Sequence, residues 1–256
     1  MKVAILGSGN VATHLSKVLI KAGHPVKQIW SRNHDNAIDL ALEIGANSIP
    51  DIGKIGKEIE LIIVAIKDDA IAEVINKIPQ NSQALIFHTS GTADLDLLSK
   101  RFENCGVLYP LQTFSKNSDI DFSIIPIFVE GSNSYSIEKV THLANQISEK
   151  VIYADSKTRA LLHISAVFAC NFTNAFYTIA QEITDSVNLD FDLLRPLIQE
   201  TADKAMLNQP KDVQTGPAKR NDVQIMQKHL KLLENEPQLK DLYQSISQYI
   251  VKMYSK

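Results

Sequence analysis

Lys2-Val3-Ala4-Ile5-Leu6-Gly7-Ser8-Gly9-Asn10-Val11-Ala12 decides how this chain is read. A short apolar run is followed at once by G-x-G-x-x-A, and then by an amphipathic stretch, Val11–Ala22. The residue types fit a strand, a tight turn and a helix. Gly7 permits the turn, Gly9 lets a ligand approach the backbone, and Ala12 is small enough for helix and strand to pack closely. A helix start placed there offers unpaired N–H groups and partial positive charge to a phosphate. Gly7, Ser8, Gly9, Asn10, Val11 and Ala12 are therefore candidate dinucleotide contacts. A turn of the same shape on a fold without a ligand is the alternative.

Outward from this stretch the alternation continues, with Val26–Ser31 strand-like and His34–Ile44 helical. Leu61–Ile66, Ala84–His88, Gly106–Leu108, Ile124–Glu130 and Lys150–Ala154 read as further strands, and Asp69–Lys77 and Ser136–Ser148 as helices. Continuous apolar strands separated by helices predict a mostly parallel sheet of about eight strands, covered on both faces. Nine of the ten glycines lie between Gly7 and Gly131, and only Gly216 comes later. After Asp155 the pattern turns helical, over Lys157–Val187, Asp192–Asn208, Arg220–Asn235 and Gln238–Tyr254. The expected fold class is α/β, a Rossmann-type doubly wound sheet over 1–154 followed by an all-α domain over 155–256.

The second strand ends in Ile29-Trp30-Ser31-Arg32-Asn33. An NAD site usually places a carboxylate there for the ribose 2′-OH. This chain offers Ser31, Arg32 and Asn33 instead, a set suited to gripping a 2′-phosphate. The expected cofactor is NADP(H), with Asp35 nearby as the feature that argues the other way. In open parallel sheets ligands lie over the carboxyl ends of the strands. Ile66 closes the fourth strand, before Lys67-Asp68-Asp69, whose carboxylates suit the start of the next helix. His88 and Ser90, in His88-Thr89-Ser90-Gly91, reach toward the nicotinamide end, although a structural histidine fits equally. Tyr109-Pro110-Leu111-Gln112-Thr113-Phe114 lines the cleft through Gln112 and Thr113, or is a turn built round Pro110.

In the helical half, Leu161 to Asn174 is apolar on nearly every face, as for a helix at the centre of its domain. At 100° per residue, His163, Asn171 and Asn174 share one side of such a helix. Buried polar groups need partners there, and structural roles compete with catalytic ones. Lys219 and Arg220 stand near a helix start, where cations oppose the helix dipole, so Arg220 is a candidate for holding an anion or a surface ion pair. The expected catalytic set is His163 as general acid, Asn171 orienting substrate or water, and Arg220 on an anionic group.

Composition narrows the class. Of 256 residues, 45% are hydrophobic and 21% charged, which describes a chain able to bury a core. The net charge of −3 gives no pull on nucleic acid or anionic lipid. No apolar run approaches the ~20 residues of a membrane span. Cys105 and Cys170 form no CxxC or Cys/His cluster, so neither a disulfide scaffold nor a metal site is expected. Met1-Lys2 leads straight into a strand, which leaves no room for a secretory leader and suggests a cytoplasmic protein.

Taken together, GSGNVA at 7–12, SRN at 31–33, HTSG at 88–91, YPLQTF at 109–114, LHISAVFACNFTN at 162–174 and TGPAKRND at 215–222 resemble a family of two-domain NADP oxidoreductases. In that family a Rossmann-like domain precedes a helical domain of unknown function. The architecture is also similar to deazaflavin-dependent NADP oxidoreductase, pyrroline-5-carboxylate reductase, ketopantoate reductase and the β-hydroxyacid dehydrogenases. The resemblance implies nicotinamide on the first domain, a small-molecule substrate against the second, and often a homodimer. It transfers no catalytic residue. The β-hydroxyacid dehydrogenases carry Lys and Asn one turn apart on the corresponding helix, whereas Lys157 and Asn171 are spaced too widely to match. The expected activity is hydride transfer between NADP(H) and a small carbonyl or imine. A non-catalytic NADP-binding regulator and a deazaflavin-linked oxidoreductase are the alternatives.

Overall fold

The first strand, β1 (Val3–Leu6), lies at the middle of the sheet and is buried along its whole length. The computed structural model describes residues 1–116, 118 and 120–255. The chain continues through α1 (Asn10–Lys21), β2 (Val26–Trp30), α2 (His34–Ile44), the two-residue β3 (Asn47–Ser48), β4 (Leu61–Val64) and α3 (Asp68–Lys77). Next come β5 (Leu85–His88), α4 (Asp96–Ser99), β6 (Cys105–Pro110), β7 (Ile127–Gly131), α5 (Ser134–Asn145) and β8 (Val151–Tyr153). The eight strands lie in the order β3-β2-β1-β4-β5-β6-β7-β8. Every pairing is parallel except β6 with β7.

Alternate residues of β1 serve opposite faces of the sheet. Val3 and Ile5 join Leu15, Leu19, Leu40 and Leu143, from α1, α2 and α5. Ala4 and Leu6 join Ile71, Val74 and Leu98, from α3 and α4. Each fully buried side chain of this size is worth roughly 1.5–3 kcal/mol, and the two layers together fix the strand ends on which the site is built. The seventh strand begins at Ile127, later than the expected Ile124. Phe122–Ile124 forms a 3-10 turn instead, because the Asp121 side chain accepts the Ser123 N–H at 2.9 Å and turns the backbone away from the sheet.

The chain divides into two compact units, Met1–Phe176 and Tyr177–Lys256. The expected cut at 154/155 followed the change of sequence pattern, whereas this division falls later, within the helical stretch. That stretch, expected to be one helix, is α6 (Ser156–Ala166), a π-helical segment (Val167–Phe172) and α7 (Thr173–Ser186). The first turns of α6 belong with the sheet because Arg159 is fully buried there.

The second unit holds α8 (Arg195–Leu207), α9 (Pro210–Val213), α10 (Val223–Leu232) and α11 (Pro237–Tyr254). His229 of α10 meets Tyr243 of α11 at 2.8 Å. The Tyr254 hydroxyl donates to the Lys211 carbonyl at 2.5 Å, and Lys219 lies over the Tyr254 ring, 5.4 Å from its centroid. Among the described residues of this unit, Ala218 alone is buried.

Candidate functional site

The carboxyl ends of β1, β2, β4, β5 and β6 open onto one cavity of about 730 Å³, within the range typical of small-molecule and cofactor sites. Its floor is the turn after β1. Gly7 has φ +136°, and a Cβ there would stand 2.0 Å from the Ala65 carbonyl oxygen, so only glycine fits. Ile66, from the same neighbouring strand end, lines the cavity and closes the other side of that contact at 3.3 Å. At Gly9 a Cβ would meet nothing within 4 Å and would point into free space.

Gly9 also caps α1 without a side-chain hydrogen bond, so the first N–H groups of the helix are left to a ligand. Ser8, Asn10 and Val11 line the same floor, whereas Ala12 is fully buried beneath it, where its size matters for packing. A cradle that glycine keeps open, set on a helix N-terminus, fits a dinucleotide diphosphate.

Ser31, Arg32 and Asn33 stand together on the rim at the end of β2. The Ser8 hydroxyl donates to Ser31 Oγ at 2.8 Å, tying rim to floor. Asn33 caps α2 by accepting the Asp35 N–H at 3.0 Å, which occupies its side chain. Arg32 is exposed and, among the described residues, makes no ion pair. Its guanidinium is therefore available to an anion. Asp35 does not line the cavity.

The far wall follows β5 and β6. Ser90 lines it, with its hydroxyl accepting the N–H groups of Thr92 and Ala93 at 3.0 and 2.8 Å. His88, expected as a cofactor contact, lies behind the wall: it is fully buried, and its Nδ1 accepts the Ser90 N–H at 3.2 Å. Burial, reinforced by the nearby Arg159 charge, pushes its pKa down to about 3, so the ring stays neutral and shapes the turn. Lys67 and Asp68 both line the cavity while starting α3, so the capping and cleft positions coincide. Of the expected pair Gln112 and Thr113, Gln112 lines the cavity and Thr113 does not.

The segment carrying Gln112 is fastened to α1. Asn10 Nδ2 donates to the Phe114 carbonyl at 2.6 Å and His14 Nε2 to the Ser115 carbonyl at 2.8 Å. His163 reaches the cavity from α6, and its Nδ1 lies 3.0 Å from the Tyr109 hydroxyl. Tyr109 is nearly buried, and burial, with Asp68 adding to it, holds its hydroxyl above the usual phenol range. The hydroxyl therefore keeps its proton and shares a hydrogen bond with His163 Nδ1. Gly91 completes the contact: a Cβ there would stand 2.8 Å from both His163 Nδ1 and Tyr109 Cζ. Sequence reasoning did not assign Tyr109, although it stands at a strand end in a quoted motif.

Asn171 is exposed and does not line the cavity. The 100° projection that joined it to His163 assumes an unbroken α-helix. The π-helical segment at 167–172 spoils that spacing, and the Thr173 hydroxyl donates five residues back, to the Phe168 carbonyl, at 3.2 Å. Nor is Leu161–Asn174 a buried central helix: Leu161, Ile164, Phe168 and Phe172 are all exposed. Arg220 belongs to the second unit and precedes α10, whose cap is Asp222, accepting the Ile225 N–H at 3.2 Å. Arg220 therefore stands outside the helix, and the dipole argument does not bear on it.

Comparison with known proteins matches the chain in two parts. Residues 2–87 match the model described as NADP oxidoreductase coenzyme F420-dependent, and residues 125–250 match the domain of unknown function DUF2520. Over 129 residues the chain is 32% identical to a glycerol-3-phosphate dehydrogenase [NAD(P)+] of Legionella pneumophila; this covers 44% of the chain but only 39% of the enzyme's length. A reductive aminase from Aspergillus terreus, in complex with NADPH and ethyl-5-oxohexanoate, shares the fold at TM-score 0.73 and 17% identity, covering 98% of this chain and 97% of the other. A Bacteroides fragilis protein provisionally named an NADP oxidoreductase is 37% identical, with TM-score 0.89 and 98% of both chains covered. On that full-length match, and with a phosphate cradle and a free rim arginine in place, the chain belongs to the NADP oxidoreductases, as an NADP(H)-dependent enzyme of Rossmann-type fold.

Proposed function

We propose that this oxidoreductase moves hydride between NADP(H) and a small carbonyl or imine compound, with His163 as proton donor. The observation that carries the reading is a single lining that runs from the glycine turn, past Arg32, to the His163–Tyr109 pair. When bound, the nicotinamide supplies the hydride. The chain's own residues do the rest. The bare N–H groups at Gly9 and the start of α1 hold the diphosphate, and Arg32 with Ser31 holds the 2′-phosphate. His163 lines the cavity and, as imidazolium, would give its Nε2 proton to the oxygen or nitrogen that gains electron density. The ring that remains is neutral with its proton on Nδ1, and the Tyr109 oxygen accepts that N–H before and after the transfer.

Replacing His163 by Gln tests the reading: turnover should fall ~100-fold or more with NADPH binding intact, and unchanged turnover overturns the proton-donor role. The match of residues 2–87 to an F420-dependent model supports a second reading, deazaflavin as the hydride partner. NADPH consumption with a panel of keto acids and imines, set against consumption with deazaflavin, separates the two.

The enzyme works as a homodimer through its helical half. Leu161, Ile164, Phe168, Phe172 and Phe176 are exposed apolar side chains from α6 to α7, and Leu242, Ile246, Tyr249 and Met253 form an exposed stripe along α11. Stripes of this kind face a partner. Because they extend over several helices rather than one patch, a second copy of the chain is the simplest cover. Molar mass by light scattering checks it. Two unpaired cysteines support a cytoplasmic location. Among the described residues, no helix is long and apolar enough to cross a membrane.

A further inference from the structure

Arg159 takes no part in the chemistry proposed above, yet it is fully buried, its charge included. Its guanidinium spends four hydrogen bonds on three separate elements. Nε donates to the Ser90 carbonyl at 3.2 Å and Nη2 to the Ala93 carbonyl at 2.5 Å, both in the loop after β5. Nη1 donates to Glu130 Oε2 on β7, and Nη2 also reaches Ser156 Oγ at 3.3 Å, at the start of α6. Glu130 is shared in turn: its Oε1 accepts the Ser156 N–H at 3.2 Å and its Oε2 the Ser156 hydroxyl at 2.9 Å. The Leu95 N–H closes the network on Ser156 Oγ at 3.1 Å.

Stability is a weak reason to bury such a pair, since well-packed apolar residues usually serve as well. Geometry is a stronger one. Arg159 and His163 lie one turn apart on α6, so they share a face of the helix. The loop that Arg159 holds through Ser90 and Ala93 carries Gly91 between them, the residue packed against both His163 and Tyr109. One planar fork thus fixes the helix that bears the imidazole and the backbone against which the imidazole rests. We propose that the Arg159–Glu130 pair is a positioning device that holds the His163 ring on Tyr109, in a single tautomer, facing the cavity. The proposal rests on His163 as proton donor for its effect on turnover, but not for its effect on the ring.

The test uses the full-length protein in three forms. Arg159→Lys keeps the charge and loses the fork. Arg159→Met combined with Glu130→Leu removes both charges at similar volume, so no charge is stranded in the core. His163→Gln with and without Arg159→Lys completes the set. Ring ¹H–¹⁵N correlations of His163, with no cofactor added, should show one neutral tautomer in the parent and an exchanging mixture in both Arg159 variants. The double variant should melt close to the parent and keep its KM for NADPH, while kcat with 1-pyrroline as probe imine falls about 100-fold. In the His163→Gln background, Arg159→Lys should lower kcat no further. A single tautomer retained in both Arg159 variants overturns the proposal, and so does an additive loss of kcat. If His163→Gln alone leaves turnover intact, the proton-donor reading falls, and the ring spectra still decide what Arg159 does.

Discussion

The two units of this chain solve the problem of burial differently. In the sheet unit, β1, β4, β5 and β6 are covered along their whole length, and two apolar layers close over both faces. In the helical unit one alanine is buried among the described residues, while Met206, Leu207 and Leu232 are more than 80% exposed. A parallel sheet carries its own cover, because each crossover lays a helix back on it. Helices joined end to end carry amphipathic faces and leave the cover to something else. Damage within the sheet should therefore stay local, and damage on the exposed helical stripes should change the assembly.

The largest expected effect follows from that difference. Ile246→Glu, on the exposed stripe of α11, should reduce a dimeric mass to that of a monomer or drive aggregation. Leu42→Glu, at a lone exposed leucine of α2 (76% exposed), should leave mass and melting unchanged. Light scattering on the two variants decides, and equal behaviour would erase the contrast between the units.

Next in size is Gly7→Ala. Its Cβ would overlap a backbone carbonyl at a positive φ, so NADPH-dependent stabilisation should vanish while the dimer persists. Titration calorimetry with molar mass alongside checks both halves of the statement. Arg32→Gln should weaken NADPH by about 10–100-fold, the worth of a charge-assisted contact, and leave NADH unchanged. Loss of both cofactors alike would remove the 2′-phosphate argument.

The remaining effect lies in the sheet core. His88 is neutral when folded, with its pKa lowered to about 3, and takes up a proton more readily once unfolded. The unfolded chain therefore binds the extra proton between about pH 6.5 and pH 3, and stability declines as pH falls through that window. Above it the contribution is complete. Melting temperatures recorded from pH 7 to pH 4 should show a flatter decline in His88→Gln than in the parent.

The sheet and its turn were legible because their signals are local. Runs such as Leu61–Ile66 and Ala84–His88 are apolar without interruption, as strands covered on both faces must be, and G-x-G-x-x-A binds within six residues. The two-residue β3 has too few positions for any pattern. The helices of the second half were legible from their periodicity, but periodicity says that a face is apolar, not what covers it. Leu161–Asn174 therefore read as a domain centre and is instead an exposed face. The π-helical segment has no sequence mark, and it alone undoes the grouping of Asn171 with His163. Tyr109 meets His163 across 54 positions, a pairing created by the fold. Arg159 resembled any surface arginine on a helix. The available clue was Glu130, a carboxylate at the end of the apolar run Ile127–Val129, which required a cation from elsewhere.

Asn10 and His14 seize main-chain oxygens of the segment beyond β6, at Phe114 and Ser115. Every amino acid carries that oxygen. The border of the cavity next to Gln112 is thus bolted to α1 through main-chain oxygens, with the Phe114 ring, 5.4 Å from that of His14, as a second fastening. Gln112, which lines the cavity but takes no part in those fastenings, can be exchanged without loosening the border from α1.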